Sequence, residues 1–287
     1  MGSLSLSLMF INTVFWAIPI YLTAFLKLIV PLAGWRKLCS KVLLVFSTSW
    51  ISCNNLNLRV FNGMKWTVEG VDALDMNDWY LVLSNHQTWV DIIVLQKVFN
   101  RKIPFLKFFI KKELLWVPIL GLAWWALDYP VMMRYSKEFI KKNPHLKGKD
   151  VETTRKSCEK FKTMPVSIMN FVEGTRFTAE KHDKQKSPHK HLLKPRAAGV
   201  ASVLNIMGDQ INRILDVTII YPRGARSFWR FLCGDVDEVV VKVESLPVSE
   251  ELIGDYYEDD QFRERFNTWI NSLWDRKDKV LDNIPRG

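Results

Sequence analysis

The sequence predicts an α/β protein: a mostly parallel central sheet flanked by helices, with an N-terminal membrane-associated helix or re-entrant two-helix hairpin in front of it. Two observations predict this. Beyond residue 60, short apolar runs rich in β-formers alternate with stretches of helical character, the pattern of a sheet covered on both faces. Before residue 60, residues 4–26 carry no charge over 23 positions, enough for a helix to cross roughly 30 Å of hydrocarbon. The chain accordingly divides into an anchor, residues 1–58, and one globular domain, residues 59–287, large enough to bury a substantial core.

In the anchor, Lys27, Arg36, Lys37 and Lys41 all follow the uncharged run, which places the bulk of the chain on the cytoplasmic side. Pro19 interrupts the run, and a second apolar stretch at 42–53 follows the break Pro31-Leu32-Ala33-Gly34. One spanning helix and a two-helix hairpin dipping into one leaflet are both compatible with that pattern. A cleaved signal peptide fits less well, because neither a basic n-region nor a small-residue cleavage site is present.

In the globular part, strands are predicted at 79–84, 166–172, 215–221 and 239–243, with helices at 91–99, 149–163 and 197–207. Residues 181–194 are polar and rich in Lys and His, and read as an exposed loop. Residues 261–281 read as a terminal amphipathic helix, with Phe262, Phe266, Trp269, Ile270 and Leu273 at helical spacing.

Composition narrows the partner. A net charge of +10 and a pI of about 9.4 call for something anionic, and twelve Trp favour a lipid surface, since indole rings partition to the membrane interface. No zinc-finger or RNA-stacking motif supports a nucleic-acid partner. Cys39, Cys53, Cys158 and Cys233 lie far apart with no metal-ligand spacing, as expected of a reduced, cytosol-facing protein. His182, His189 and His191 sit among Lys181, Lys184, Lys186 and Lys190, which repel a cation, so no metal site is expected. Those lysines suit either anionic headgroups or solvent.

Chemistry concentrates at two strand ends. Asn85-His86-Gln87-Thr88-Trp89-Val90-Asp91 follows the first predicted strand and opens a helix, where open α/β sheets place their ligand crevices. Five helical residues turn about 140° beyond a full circle and rise about 7.5 Å, so His86 and Asp91 meet only if the histidine precedes the helix. Thr88 as N-cap would set Asp91 in the first turn, its carboxylate looking back at the imidazole; the same residues also read as a plain capping box. Phe171-Val172-Glu173-Gly174-Thr175-Arg176 ends the second predicted strand, with a glycine for a tight turn and a guanidinium that forks onto phosphate.

Together these motifs resemble the glycerolipid acyltransferase family typified by 1-acylglycerol-3-phosphate acyltransferase, whose signatures are Asn-His-x4-Asp and a later Glu-Gly-Thr-Arg or Glu-Gly-Ser-Arg. Two weaker blocks find counterparts in the run 111–118 with Gly121 and in the apolar run 217–222 ending at Pro222. The resemblance covers roughly 75–225. Details around Trp89, 124–128 and 150–154 are similar to a bacterial inner-membrane subgroup described only as probable acyltransferases.

The resemblance implies a membrane-bound enzyme of the bacterial inner membrane, its catalytic domain facing the cytoplasm. It moves a fatty acyl group from acyl-CoA or acyl-carrier protein to the sn-2 hydroxyl of lysophosphatidic acid or a related lysophospholipid or glycerol-3-phosphate. No cofactor is implied beyond the thioester co-substrate. His86 is the implied general base, oriented by Asp91. Arg176 and Lys111 are the implied phosphate ligands, Glu173 and Gly174 shape the turn, Thr175 offers a hydroxyl and Arg134 is a further cation. No Gly-x-Ser-x-Gly elbow suggests an acyl-enzyme. A non-catalytic protein that binds lipid through its basic surface is the rival class, and it needs neither His86 nor Asp91.

Overall fold

The computed structural model describes residues 1–132, 152, 155, 158, 161 and 164–283. Arg134 and most of the expected helix at 149–163 lie outside the described residues. The side chain of Lys111 lies outside them too, although its backbone does not.

The chain opens with two long helices, α1 (Gly2–Ile29) and α2 (Ala33–Phe61), packed antiparallel. Polar pairs set their register: Asn12 Nδ2 donates to Asn54 Oδ1 at 2.9 Å, and Ser5 Oγ donates to Asn57 Oδ1 at 3.0 Å. Of the two, α1 is long and apolar enough to cross a membrane. Its outward face is a row of exposed Phe10, Phe15, Ile18, Leu22 and Phe25. Both apolar stretches of the N-terminus are thus helical and pack as a pair, and α2 continues to Phe61, beyond the expected boundary at 58.

The globular part follows: β1 (Lys65–Glu69), β2 (Tyr80–Ser84), α3 (Val90–Phe99), β3 (Leu106–Phe108), β4 (Ile110–Lys111), α4 (Leu120–Ala126) and β5 (Val131–Met132). After these come β6 (Ser167–Phe171), α5 (Ala179–Gln185), α6 (Ala197–Met207), β7 (Arg213–Ile220), α7 (Phe228–Leu232), β8 (Glu238–Pro247) and α8 (Asp260–Asp282). Six strands form one sheet in the order β1-β8-β7-β2-β6-β3. Four of its five pairings are parallel, and β7–β8 is antiparallel. The sheet is thus α/β and mostly parallel, with β1 and β8 running against the other four.

Strand β2 is buried at every position, because the central strand of a doubly covered sheet has no solvent face; it therefore reads as a continuous apolar run. Tyr80 and Val82 face one core, shared with Val94, Val98 and Phe99 of α3. Leu81 and Leu83 face the other, shared with Val200 and Leu204 of α6 and Phe266, Ile270 and Leu273 of α8. A third cluster joins Ile20, Ala24 and Leu43 of the hairpin to Ile110, Ala126, Leu127 and Tyr129.

The expected exposed loop at 181–194 is corrected in two ways. Its first part is helix α5, capped by Thr178, whose side chain accepts from the Lys181 backbone N–H. Its second part is pinned to α8: Asp278 accepts from the backbone N–H of Lys190 and His191 at 2.7 and 2.8 Å, and His189, Leu192 and Leu193 are buried. Polar composition reported side-chain chemistry, while the backbone donors found their partners on another helix.

Candidate active site

Past Ser84 the chain leaves the sheet through a turn before α3. The side chain of Asn85 extends the β2–β7 ladder by one step: its Nδ2 donates to the Ile219 carbonyl and its Oδ1 accepts from the Ile219 N–H, both at 2.9 Å. That clamp fixes where His86 emerges. His86 precedes the helix, as the 140° argument requires, and its Nδ1 lies 2.9 Å from Asp91 Oδ2. Asp91 is fully buried in the first turn of α3. Its Oδ2 also accepts from the N–H groups of Gln87 at 2.6 Å and Thr88 at 2.9 Å, and its Oδ1 accepts from the Tyr221 hydroxyl at 2.7 Å.

Because a carboxylate only accepts, Nδ1 carries the proton and the Nε2 lone pair is left for a substrate. Burial, reinforced by the charge of Asp91, holds the Tyr221 hydroxyl well above its ordinary pKa, so it stays a donor. The imidazole plane is fixed by stacking on Phe171, with ring centroids 3.8 Å apart and planes 11° apart. The expected capping box is half formed. Asp91 reaches back to the Thr88 N–H, but Thr88 Oγ1 donates to the Arg226 carbonyl at 2.7 Å and accepts from the Val90 N–H at a long 3.5 Å, and the N-cap position of α3, Trp89, makes no side-chain cap.

The second turn leaves β6 after Phe171. Gly174 has φ of 70°, a left-handed conformation in which a side chain is strained, and its N–H closes the turn on the Phe171 carbonyl at 2.8 Å. Glu173 is 1% exposed. One carboxylate oxygen accepts from the His86 N–H and the other from the Leu193 N–H, both at 2.9 Å. Burial pushes its pKa up to about 7, against the pull of those two N–H groups. The two turns meet again where Phe177 N–H donates to the His86 carbonyl at 2.8 Å. Gly174 thus gives the turn its left-handed step, and both carboxylate oxygens of Glu173 accept from backbone donors.

Arg176 is placed differently. Its guanidinium lies 4.6 Å from the centre of the Trp89 ring, a cation–π contact on an indole that is 54% exposed. Lys181 Nζ clips the turn from behind, donating to Thr175 Oγ1 at 2.9 Å and to the Arg176 carbonyl at 3.0 Å. A lysine read from sequence as a headgroup or solvent contact is thus tied to the turn, and so is the Thr175 hydroxyl. Lys111 pairs through its backbone with Met132.

A family model described as "Acyltransferase" matches residues 65–221, more than half of the chain and both turns. The chain belongs to the acyltransferase family. Among curated proteins it is 24% identical over 237 residues to 1-acyl-sn-glycerol-3-phosphate acyltransferase 3 of Arabidopsis thaliana, covering 75% of this chain and 58% of the relative. A probable 1-acyl-sn-glycerol-3-phosphate acyltransferase 5 of the same plant is 24% identical over 289 residues, covering 96% and 70%. The delta enzyme of Homo sapiens is 24% identical over 219 residues, covering 72% and 53%. The acyltransferase chain thus spans little more than half the length of several curated relatives. Among solved structures, the 1-acyl-sn-glycerophosphate (LPA) acyltransferase of Thermotoga maritima shares the fold. Its TM-score is 0.52, with 16% identity over 96% of this chain and 98% of that one.

Three features of the fold around these turns and on α8 are not visible in the motifs. Tyr221 stood next to Pro222 in a recognised block, but nothing in the sequence ties it to Asp91. Phe171 was read as the end of a strand, not as the surface under the imidazole. Lys277 sits at the next helical step after Leu273 on the apolar stripe of α8, a position where a lysine is out of place, and that was the available signal. The three histidines of the 181–194 segment turn to carbonyl and aspartate partners: His182 to the His189 carbonyl, His189 to Asp275, His191 to Asp282.

Proposed function

We propose that the protein transfers a fatty acyl group from a thioester donor, acyl-CoA or acyl-carrier protein, to the free sn-2 hydroxyl of lysophosphatidic acid, giving phosphatidic acid. The observation that carries the reading is a histidine whose Nδ1 is committed to a buried carboxylate while Nε2 stays available, beside the turn that presents Arg176. Nε2 takes the hydroxyl proton as the oxygen attacks the thioester carbonyl, and Asp91 stabilises the imidazolium. The tetrahedral intermediate collapses, the carbon–sulfur bond breaks, and the thiolate takes the proton from Nε2. Ester and free thiol are the products, and no covalent acyl-enzyme intervenes. Arg176, held over Trp89, is the ligand assigned to the acceptor phosphate, with Lys111 and Arg134 as further cations.

The membrane supplies the acceptor, and the packing of the hairpin favours embedding in one leaflet over crossing. Helix α1 is about 42 Å long at 1.5 Å per residue, and the domain backs it from end to end. Gly2 lies against Cys233, Met9 packs in the main core, and Lys27 Nζ pairs with Asp128 at 2.7 Å. A crossing would carry those domain surfaces through the bilayer. The exposed face of α1 then rests in lipid while the domain, anchor boundary near residue 58, faces a bacterial cytoplasm. The deciding experiment is a panel of acyl donors and lysophospholipid acceptors with detergent-purified protein, read by free-thiol release. Turnover with lysophosphatidic acid, lost in His86→Ala of native circular dichroism, is expected; salt-sensitive vesicle binding with no thiol release from any pair overturns the enzymatic reading.

A further inference from the structure

The C-terminal helix α8 lies outside the segment matched by the family model, yet it sends one charge into the middle of the fold. Lys277 is 1% exposed. Its Nζ lies 2.6 Å from Asp216 Oδ1 and donates to the Val217 carbonyl at 2.6 Å and to Thr218 Oγ1 at 3.1 Å. Two oxygen acceptors and the Asp216 carboxylate surround the nitrogen, an environment that suits an ammonium. A buried charge of this kind is a costly way to fasten a helix, since an apolar side chain of similar size packs there as well or better. The expense points to something besides packing.

The strand register shows what is near. Asp216 on β7 stands opposite Leu83 on β2, and Leu83 stands opposite Asn170 on β6. Lys277 therefore sits over β7, one strand from β2, which leads to His86 three residues past Leu83, and two strands from β6, which leads to Glu173 three residues past Asn170. Glu173 is another deeply buried charge of this region, beside Asp91 and Asp216, and its carboxylate is what holds the His86 N–H. We infer that Lys277 is a positioning residue for His86: its ammonium keeps Glu173 ionised inside the core, and the ionised carboxylate holds the histidine's backbone and the Leu193 strap in place.

Electrostatics run in the same direction. Lys277 pulls the Glu173 carboxyl down against burial and against the repulsion of Asp91, the other charge facing it. The ammonium itself faces Asp216, Glu173 and Glu244, and burial presses it toward the neutral form. The sign follows. Glu173 accepts from both N–H groups when ionised, so its hold on His86 is present above its pKa and is lost as pH falls through it. Removing the ammonium raises that pKa and moves the loss to higher pH.

The inference rests on the proposed role of His86, and its test separates the two. The comparison uses the full chain in detergent with Glu173→Gln, Lys277→Met, and the charge-neutral pair Lys277→Met with Asp216→Asn, which spares Asp216 a buried unpaired charge if the single variant fails to fold. Infrared titration of the carboxyl band that Glu173→Gln removes follows Glu173 directly, whether or not the protein turns over. The kcat profile against pH reads the consequence. In the folded double variant the band midpoint and the acid limb of kcat are both expected to move up together, and in the Glu173→Gln background the loss of Lys277 is expected to leave the acid limb where it was. An unmoved midpoint in the double variant reduces Lys277 to a fastening for α8 and overturns the inference. A shifted midpoint with no turnover in the wild type would instead remove the catalytic reading of His86 and leave the Lys277–Glu173 link standing.

Discussion

The two turns that make the site are built by opposite means. The turn at 85–91 is over-determined: Asp91 receives four donors, Asn85 is clamped to β7, and His86 is held through its ring, its N–H and its carbonyl. The turn at 173–176 is held through the Arg176 carbonyl, which Lys181 ties down together with Thr175 Oγ1, and its Arg176 side chain lies over an exposed indole. The difference suits the two tasks proposed for them. Proton transfer tolerates little misplacement, because rate depends on a near-attack geometry, whereas a phosphate is met by a charge whose field falls off slowly, and a long side chain on an aromatic face adapts to it.

Five substitutions break or sharpen this contrast. His86→Ala should remove the base and lower kcat by about 10⁴-fold with melting temperature little changed. Asp91→Asn, which no longer fixes the tautomer, should cost about 10³-fold in kcat at neutral pH; a loss confined to KM would show that the carboxylate does not act through the imidazole. On the other turn, Arg176→Ala should raise the acceptor KM roughly 30- to 150-fold, the worth of about 2–3 kcal/mol for a charge-assisted bond, with kcat nearly kept; an unmoved KM would take Arg176 out of phosphate binding. Tyr221→Phe should return to the first turn as a loss of about tenfold in kcat and about 2 kcal/mol of stability in urea unfolding, since a donor to a buried carboxylate is deleted. Trp89→Ala should be the mildest, raising the acceptor KM about two- to fivefold, in line with a cation–π contact of about 0.5–1 kcal/mol at an exposed site; a drop in kcat there would mean that the indole also supports the first turn.

The strands that sequence reads well are those buried on both faces. β2, β6 and β7 are mostly apolar, with Asn170 in β6 and Asp216 and Thr218 in β7 as polar interruptions, and their ends, and the motifs placed there, fall where expected. β1, Lys-Trp-Thr-Val-Glu at the sheet edge, and the three-residue β3 carry too little pattern to be seen. The direction of β8 is equally silent, because the same alternating Val239, Val241 and Val243 would serve a parallel or an antiparallel neighbour.

Sequence alone determined the α/β class, the apolar N-terminus and the placing of the His86–Asp91 and Glu173–Arg176 motifs at strand ends, because each of these is written in residues close together in the chain; that His86 and Asp91 meet is seen only in the fold. Tertiary structure alone decided that the N-terminal hairpin lies along the domain, that Glu173 is a tie to the His86 backbone, that Tyr221 completes the shell of Asp91, and that Lys277 lies beneath the site. Tyr221 is 130 residues from Asp91, Glu173 is 87 from His86 and Lys277 is 60 from Val217. A buried polar group takes whichever partner the packed fold delivers to it, and local sequence carries no record of that choice.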